Sequence, residues 1–480
     1  MRQETGTQAT SGQAAALPPR WGPRRAAAVF VDWLRTDLFR RTDSGPVGLR
    51  KILLAVAAVL AATAISLSRT VGAGSLNTVW IEDAKFLLDQ ALNASFWKAL
   101  TSPISTYYQE PARILTEIAI QFPLSWAPGV MAIFAAAQYA MYGLVAYIAS
   151  GPYLRSRWLR LLMVAPACAI PLAYTQVNND LVTVQFFGLY GAFWTVLWIP
   201  GTRAGRILSP LVMATVSWTA VLSIVFAPLI VARLIVDRSK NAWALAILWV
   251  SGVWLQMSET VLGVSHHDEF GSNGLLYVLK EYVTRVVPRA LFGERSLGGP
   301  GADFRGNSTP LHITNVTAHN LLIVAAWVIV LAVVAIAAAR FTDPNWTLAG
   351  VAALFSLAIF VEEMLINTSV VQPRYTVAPA LLLYTALFAL LRPRVRTVTE
   401  GSERATRIAA TVRWLPAAGL AVLLVVAVTL NFRVTNGRTT SPAWTSVVAT
   451  ASDTCKMPGV TAYTFVHEWW WVTIPCSKVG

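Results

Sequence analysis

The sequence predicts an all-α polytopic membrane protein with about 11 transmembrane helices, two long outside loops that carry surface helices, and a small disulfide-pinned C-terminal tail. Of the 480 residues, 55% are hydrophobic and 13% are charged. This composition provides more apolar surface than a soluble core of that length buries. In addition, apolar runs recur at the length of about 20 residues that a helix needs to cross the hydrocarbon core of a bilayer.

Eleven apolar segments are the predicted spans. In chain order they are 49–68, 126–149, 159–175, 184–200, 207–218, 221–236, 241–258, 319–339, 347–366, 375–391 and 413–431. The fifth and sixth of these segments also fit one long broken helix. The apolar segment 112–124 is short for a crossing and lies between Pro111 and Pro123, so we interpret it as an interfacial or re-entrant segment.

The distribution of Lys and Arg predicts a cytoplasmic N-terminus and an outside C-terminus in a cytoplasmic (plasma) membrane. In this orientation the cytoplasmic segments hold 24 of the 38 Lys and Arg residues, as the positive-inside rule requires. The net charge of +14 is thereby explained without a nucleic-acid partner. Three domains follow: a disordered and amphipathic cytoplasmic segment 1–48, a transmembrane domain 49–431 with outside loops 69–125 and 259–318, and an extracytoplasmic tail 432–480.

The C-terminal tail contains two of the three cysteines, Cys455 and Cys476. Because the tail is expected outside, where thiols oxidise, we predict a Cys455–Cys476 disulfide rather than two free thiols. Closing that loop would stabilise the tail by about 3 kcal/mol. The residue pattern around the two cysteines predicts a short helix followed by alternating strand-like runs.

The first polar stretch after the first span, "VWIEDAKFLLDQAL", contains the adjacent carboxylates Glu82 and Asp83. Neighbouring residues on a helix point about 100° apart, so the two carboxylates face different surroundings and cannot have the same role. An acidic pair just outside a membrane helix is also often simply solvated. The same loop, however, concentrates aromatic and polar side chains of the kind that stack on and hydrogen-bond a sugar. These candidate substrate-binding residues are Trp80, Tyr107, Tyr108, Gln109 and Glu110.

Arginines near the predicted membrane surface are candidate phosphate ligands. Arg374 and Arg113 are each expected at the depth of a lipid headgroup, where a guanidinium either holds a phosphate bidentately or only snorkels to the surface. Glu362 and Glu363 lie near the outer end of an apolar span, where a carboxylate needs a cation or a cavity. Arg374 is their expected partner.

Two further polar groups are open to different interpretations. "YTQVNNDLV" places Asn179 and Asp180 in an outside turn, as contacts for a sugar or a metal or as ordinary turn residues. "SHHDEF", residues 265–270, is a poor metal motif because consecutive ligands do not return to one face. Neither a P-loop nor a G-x-G-x-x-G motif that opens a helix is present, so direct use of a nucleotide is not expected.

The architecture over residues 50 to about 391, with an acidic pair early in a large first outside loop, resembles the polyprenyl-phosphate-dependent glycosyltransferases of the GT-C superfold. The matching motif is the "ED" of Glu82 and Asp83. The resemblance implies a membrane enzyme that works on the outer face and has membrane lipid as a partner. It would move a sugar from a polyprenyl-phosphate-linked donor to a hydroxyl of a glycan, lipid or protein acceptor. Because the leaving group is a stabilised phosphate, one carboxylate base suffices and inversion is expected.

For that chemistry the sequence favours Asp83 as the base, with Glu82 orienting it or helping to hold a divalent metal ion. A transporter or flippase for a lipid-linked glycan is the alternative, but it would place its polar residues in the middle of spans, whereas most candidates lie at outside ends. A non-catalytic membrane assembly protein is a third function class. In that case neutral replacements of the acidic pair would be tolerated.

The predicted orientation places the loop 259–318 outside. An Asp303→Cys substitution in a Cys168→Ser background should therefore react with a membrane-impermeant maleimide in intact cells. The control is Arg155→Cys, in a predicted cytoplasmic loop, which should react only after permeabilisation. Labelling of position 303 only after permeabilisation contradicts the orientation.

Overall fold

A computed structural model describes residues 23–42, 45, 47–104, 107–173, 177, 179–261, 274–297, 316–366, 372–394, 403–433, 437–467 and 470–479. These residues are mostly helical, as the sequence predicts. The "SHHDEF" stretch and position 303 lie outside the described residues. Pro23–Trp33 forms a helix within the N-terminal segment for which an amphipathic helix was expected.

Twenty α-helices follow one another in the described part of the chain. They are α1 (Pro23–Trp33), α2 (Leu49–Leu67), α3 (Asp89–Asn93), α4 (Phe96–Leu100), α5 (Glu110–Ala119), α6 (Ala127–Ala149), α7 (Arg157–Val164), α8 (Pro166–Ala169), α9 (Val184–Leu197), α10 (Arg203–Ser217), α11 (Ala227–Val236), α12 (Lys240–Val261), α13 (Leu275–Glu281), α14 (Val287–Phe292), α15 (Val316–Ala338), α16 (Trp346–Ile366), α17 (Val377–Leu390), α18 (Glu403–Leu430), α19 (Gly437–Thr440) and α20 (Trp444–Cys455). Two strands, β1 (Ala462–His467) and β2 (Trp470–Pro475), complete the chain.

Five helices of the described chain are long and apolar enough to cross a membrane. They correspond to five of the eleven predicted spans and comprise Leu49–Leu67, Leu124–Ala149, His319–Ala338, Trp346–Leu365 and Arg413–Leu430. Eleven spans are not confirmed. The predicted span 159–175, for example, is divided between α7 and α8, because Pro166 interrupts the run and the helix ends before Pro171.

Helices α9 and α17 coincide with predicted spans but are shorter than the about 20 residues that a membrane crossing needs. Each has 14 residues, and every one of them is buried inside the protein. By contrast, only 11% of the first candidate span is buried. A helix that is apolar on all sides is expected either in a membrane or in a protein core, and composition alone does not separate the two. Aromatic contacts join this core, with the ring of Phe193 5.9 Å from that of Phe355.

The segment 274–292 contains the helix that its periodicity predicts, formed by α13, the π-helix Tyr282–Val286 and α14. It is attached to three long or buried helices. The Tyr282 hydroxyl hydrogen-bonds the Ser356 hydroxyl at 2.8 Å, the Trp327 indole donates to the Val283 carbonyl at 3.0 Å, and the Tyr384 hydroxyl donates to the Ala290 carbonyl at 2.5 Å. This helix is therefore part of the packed structure.

The C-terminal tail folds as predicted into a helix, α20, and an antiparallel hairpin of β1 and β2. The Cys455–Cys476 disulfide is confirmed and ties the end of the helix to the end of the hairpin. The tail packs on the first outside loop. The Trp444 indole donates to the Leu124 carbonyl at 2.8 Å, and the backbone N–H of Thr473 donates to the Asp89 carboxylate at 2.7 Å.

A close backbone approach at Gly72 joins the same loop to the tail, and Gly72→Ala should weaken it. Gly72 has a φ of +74°, and a Cβ there would lie 2.5 Å from the carbonyl oxygen of Thr439. Gly74→Ala is the matched control, because Gly74 has a φ of +79° but no atom within 4 Å of a Cβ. The control should lower the free energy of unfolding by about 1–2 kcal/mol through backbone strain, and Gly72→Ala by clearly more. Thermal unfolding of both variants in detergent measures this. Equal losses would show that the contact with Thr439 is unimportant.

Candidate active site

The predicted acidic pair lies in the first turn of a helical run over residues 81–93. Ile81, Ala84, Leu87 and Leu88 form the buried apolar face of this run, and burial of that face fixes the rotation of the helix. Carboxylates in a first turn are favoured by the helix dipole. Because adjacent residues point about 100° apart, one carboxylate faces the interior and the other a more accessible side.

Asp83 is the inward carboxylate. It is 4% exposed, and its two oxygens accept hydrogen bonds from the backbone N–H groups of Leu181 at 2.8 Å and Val182 at 3.0 Å. Burial raises the pKa of Asp83 to about 6, although these two hydrogen bonds and the charge of Arg438 act in the opposite direction. Asp83 thus joins the first outside loop to the segment that precedes α9.

Glu82 is the more accessible carboxylate and is paired with a cation. Its Oε1 atom accepts a hydrogen bond from Nη1 of Arg374 at 3.1 Å, and the side chains of Glu82 and Arg374 are 18% and 24% exposed. Burial lowers the pKa of Arg374, but Glu82, Tyr375 and Tyr107 raise it and prevail. The sequence predicted both residues as site candidates but named Glu362 and Glu363, not Glu82, as the carboxylate partners of Arg374.

Two more predicted residues surround Arg374. Tyr107 lies within electrostatic range of Arg374, Glu82 and Glu363, and its hydroxyl accepts a hydrogen bond from the Gln185 amide at 3.3 Å. Burial raises the pKa of Tyr107. We call Glu82, Tyr107, Glu363 and Arg374 the Arg374 cluster. It joins the first outside loop to the outer end of α16 and the start of α17.

Glu362 is adjacent to this cluster in the chain and has a different environment. Its neighbour Glu363 is 4% exposed and interacts electrostatically with Arg374, as the sequence predicts. The Oε2 atom of Glu362 is buried, and no group among the described residues hydrogen-bonds it. The predicted pairing with Arg374 is therefore supported by proximity for Glu363 only.

Arg113 does not share a partner with Arg374. It is 2% exposed, and its Nη1 atom donates to the Gln90 amide oxygen at 2.7 Å and to the Phe86 carbonyl at 3.4 Å. Its Nε and Nη2 atoms have no hydrogen-bond partner in the described part of the chain. Burial lowers the pKa of Arg113 to about 10 and raises that of Glu110, on the same helix, to about 7.

The other predicted sugar-binding residues of this loop make internal contacts. The backbone of Tyr108 exchanges two hydrogen bonds of 3.0 Å with the Gln256 side chain. Gln109 is fully buried and donates to the Val182 carbonyl at 3.2 Å. Trp80 is 4% exposed. Their direct contact with a substrate stays a prediction.

Asn179 and Asp180 connect the segment before α9 to distant parts of the chain through buried hydrogen bonds. Asn179 has a φ of +61°, and its amide bonds the Ser66 carbonyl at 3.1 Å and the Ser75 hydroxyl at 3.0 Å. The Asp180 carboxylate accepts a hydrogen bond from Arg438 at 2.7 Å, and both side chains are almost completely buried. Both residues are therefore enclosed by the protein, and their contact with a sugar or a metal stays a prediction.

Arg438 is the residue of this region that sequence reasoning missed. It lies in "NGRTT", where neither a motif nor a periodic pattern distinguishes it from any other Arg of the tail. Its ion-pair partner Asp180 is 258 positions away in the sequence.

The described residues contain no group of three or more His, Cys, Asp or Glu side chains that could hold a metal ion.

The raised pKa of Asp83 predicts a specific dependence of stability on pH. Since its pKa is higher in the folded protein than the ordinary value of 3.8, the folded state holds this proton more tightly, and the stability it contributes is lost as pH rises from about 4 to about 6. Asp83→Asn cannot titrate, so the difference in melting temperature between wild type and this variant should shrink over that interval and be constant above it. A melting-temperature difference that does not change with pH contradicts the raised pKa of Asp83.

The likeness of this chain to known proteins is structural and weak. No protein-family model matches the chain, and no curated protein matches it. Among solved structures, the arabinofuranosyltransferase AftD from Mycobacteria, determined by single-particle cryo-EM, aligns with a TM-score of 0.42 and 16% sequence identity. The alignment covers 82% of this chain and 27% of that one, so this chain spans about a quarter of the length of AftD.

Proposed function

We propose that this protein is an integral-membrane glycosyltransferase of the GT-C type. It would transfer a sugar from a polyprenyl-phosphate donor to an acceptor hydroxyl on the outer face of the cytoplasmic membrane, with inversion. The observation that carries the proposal is the Glu82–Arg374 contact of 3.1 Å between two partly exposed side chains. Transfer from a lipid phosphate needs a base and a cation for the leaving phosphate, and this pair supplies both kinds of group.

In this proposal Arg374 binds the donor phosphate. A guanidinium presents parallel N–H donors that match phosphate oxygens, and its Nη1 group donates a hydrogen bond to the Glu82 carboxylate. An incoming phosphate therefore competes with Glu82 for the same donors. Binding of the donor would release Glu82 from Arg374, which gives a free carboxylate beside the bound phosphate.

Glu82 then acts as the base. It takes the proton of the acceptor hydroxyl while the acceptor oxygen forms a bond to the anomeric carbon of the sugar. The bond from that carbon to the phosphate oxygen breaks, and its electron pair leaves with the polyprenyl phosphate, whose charge Arg374 stabilises. A single displacement of this kind inverts the anomeric configuration, and it needs no general acid because phosphate is a good leaving group.

The geometry favours an exchange of the roles that the sequence suggested for the acidic pair. Asp83 is 4% exposed and already accepts two backbone hydrogen bonds, whereas the Glu82 side chain is 18% exposed. A base must reach the proton that it removes. We therefore assign the base to Glu82, and to Asp83 the fixing of the helix that presents it.

Substitutions of the pair separate these roles. Glu82→Gln keeps the shape but removes the basic oxygen, so transfer from a panel of short-chain polyprenyl-phosphate sugars should fall by roughly 10²- to 10⁴-fold with little change in melting temperature. Asp83→Asn should lower both activity and melting temperature, because a carboxylate that accepts two buried N–H groups is lost. Asp453→Asn, on the exposed side of α20, is the control and should retain activity.

Arg374→Gln gives an independent check of the phosphate site. It should raise the KM for the donor, and Arg374→Lys should restore binding in part because it keeps the charge but not the paired N–H groups. Normal transfer by Glu82→Gln contradicts the assignment of the base to Glu82, whereas absence of transfer by the wild type favours a transporter, flippase or assembly role. Normal activity of Glu82→Gln together with inactive, well-folded Asp83→Asn would return the base to Asp83.

A further inference from the structure

The guanidinium of Arg438 is buried and fully engaged with two separate segments of the chain. Its Nη1 atom lies 2.7 Å from the Asp180 carboxylate and 3.4 Å from the Asn179 carbonyl. Its Nη2 atom donates to the carbonyls of Ser75 at 3.0 Å and Thr78 at 2.9 Å, and Nε donates to the Thr78 hydroxyl at 2.9 Å. Arg438 itself is 2% exposed.

The two segments that Arg438 holds are the ones that meet at Asp83. Thr78 lies five residues before Asp83 on the first outside loop. Asp180 immediately precedes Leu181 and Val182, whose N–H groups bind the Asp83 carboxylate. Arg438 thus crosslinks both sides of that contact. Its positive charge also favours the ionised form of Asp83.

The contacts of the folded tail hold Arg438 in this position. Asn77 and Thr445 exchange two hydrogen bonds, from the Asn77 amide to the Thr445 hydroxyl at 3.2 Å and from the Thr445 backbone to the Asn77 oxygen at 3.0 Å. At the far end of the tail, Asn93 donates to the Thr473 carbonyl at 2.7 Å. The tail is therefore attached just before the helical run that bears the acidic pair and at the last residue of that run.

We infer that Arg438 is a positioning residue for the active site, which fixes the Asp83 contact and thereby the orientation of Glu82 toward Arg374. The inference rests on the proposed function for its catalytic part. An ion pair as deeply buried as Arg438–Asp180 is costly to desolvate, and removing one partner leaves an uncompensated buried charge. The effect of a single substitution should consequently extend to every group that the guanidinium holds.

Hydrogen exchange of the full-length protein in lipid nanodiscs tests the positioning directly. Arg438→Gln should speed exchange of the Leu181 and Val182 amides at least tenfold, and Arg438→Lys should give a smaller increase. Lys456→Gln, an exposed cation of the same tail, is the control and should leave these amides unchanged. Should Arg438→Gln fail to fold, the Arg438→Gln/Asp180→Asn double variant removes the unpaired buried carboxylate and can be measured in its place.

Transfer kinetics test the catalytic part on the same samples. Arg438→Gln should lower kcat at least tenfold with the donor KM nearly unchanged, because Arg374 still binds phosphate, and Arg438→Lys should recover part of kcat. Unchanged amide exchange overturns the inference, and so does fast exchange with normal kcat. A wild type without transfer activity but with the expected exchange response refutes the proposed function alone.

Discussion

The buried guanidinium of Arg438 is the contact on which the arrangement of the candidate site depends. A charge in such surroundings is tolerated only when a counter-charge and hydrogen-bond acceptors surround it. Asp180 supplies the counter-charge, and carbonyls of the first outside loop supply the acceptors. Three parts of the chain that are distant in sequence are therefore held together: the tail, the first outside loop and the segment before α9.

This arrangement explains how two adjacent carboxylates acquire different surroundings. The helical run 81–93 buries its apolar face, so Asp83 is directed inward, where its carboxylate accepts hydrogen bonds from two backbone N–H groups. Glu82 is rotated by about 100° and meets Arg374 instead. Electrostatics reinforce the difference, because burial raises the pKa of Asp83, whereas Glu82 shares its charge with a partly exposed guanidinium.

Sequence reasoning succeeded where one short segment carries the whole signal. The Cys455–Cys476 bond followed from two cysteines in one segment. The number of spans does not follow from apolar runs alone, because a helix such as α9, apolar on all sides and completely buried, is expected either in a membrane or in a protein core. The Glu82–Arg374 and Arg438–Asp180 contacts were also inaccessible, since tertiary folding alone brings such distant residues together and a single sequence carries no local trace of it.

In the proposed mechanism the donor phosphate binds at the Glu82–Arg374 contact, and a structure of the protein in lipid nanodiscs with a short-chain polyprenyl phosphate tests this most directly. We expect phosphate density within hydrogen-bond distance of the Arg374 guanidinium, with the Glu82 carboxylate displaced from it and Asp83 still bound to the N–H groups of Leu181 and Val182. Phosphate bound elsewhere, with the Glu82–Arg374 contact intact, would contradict it.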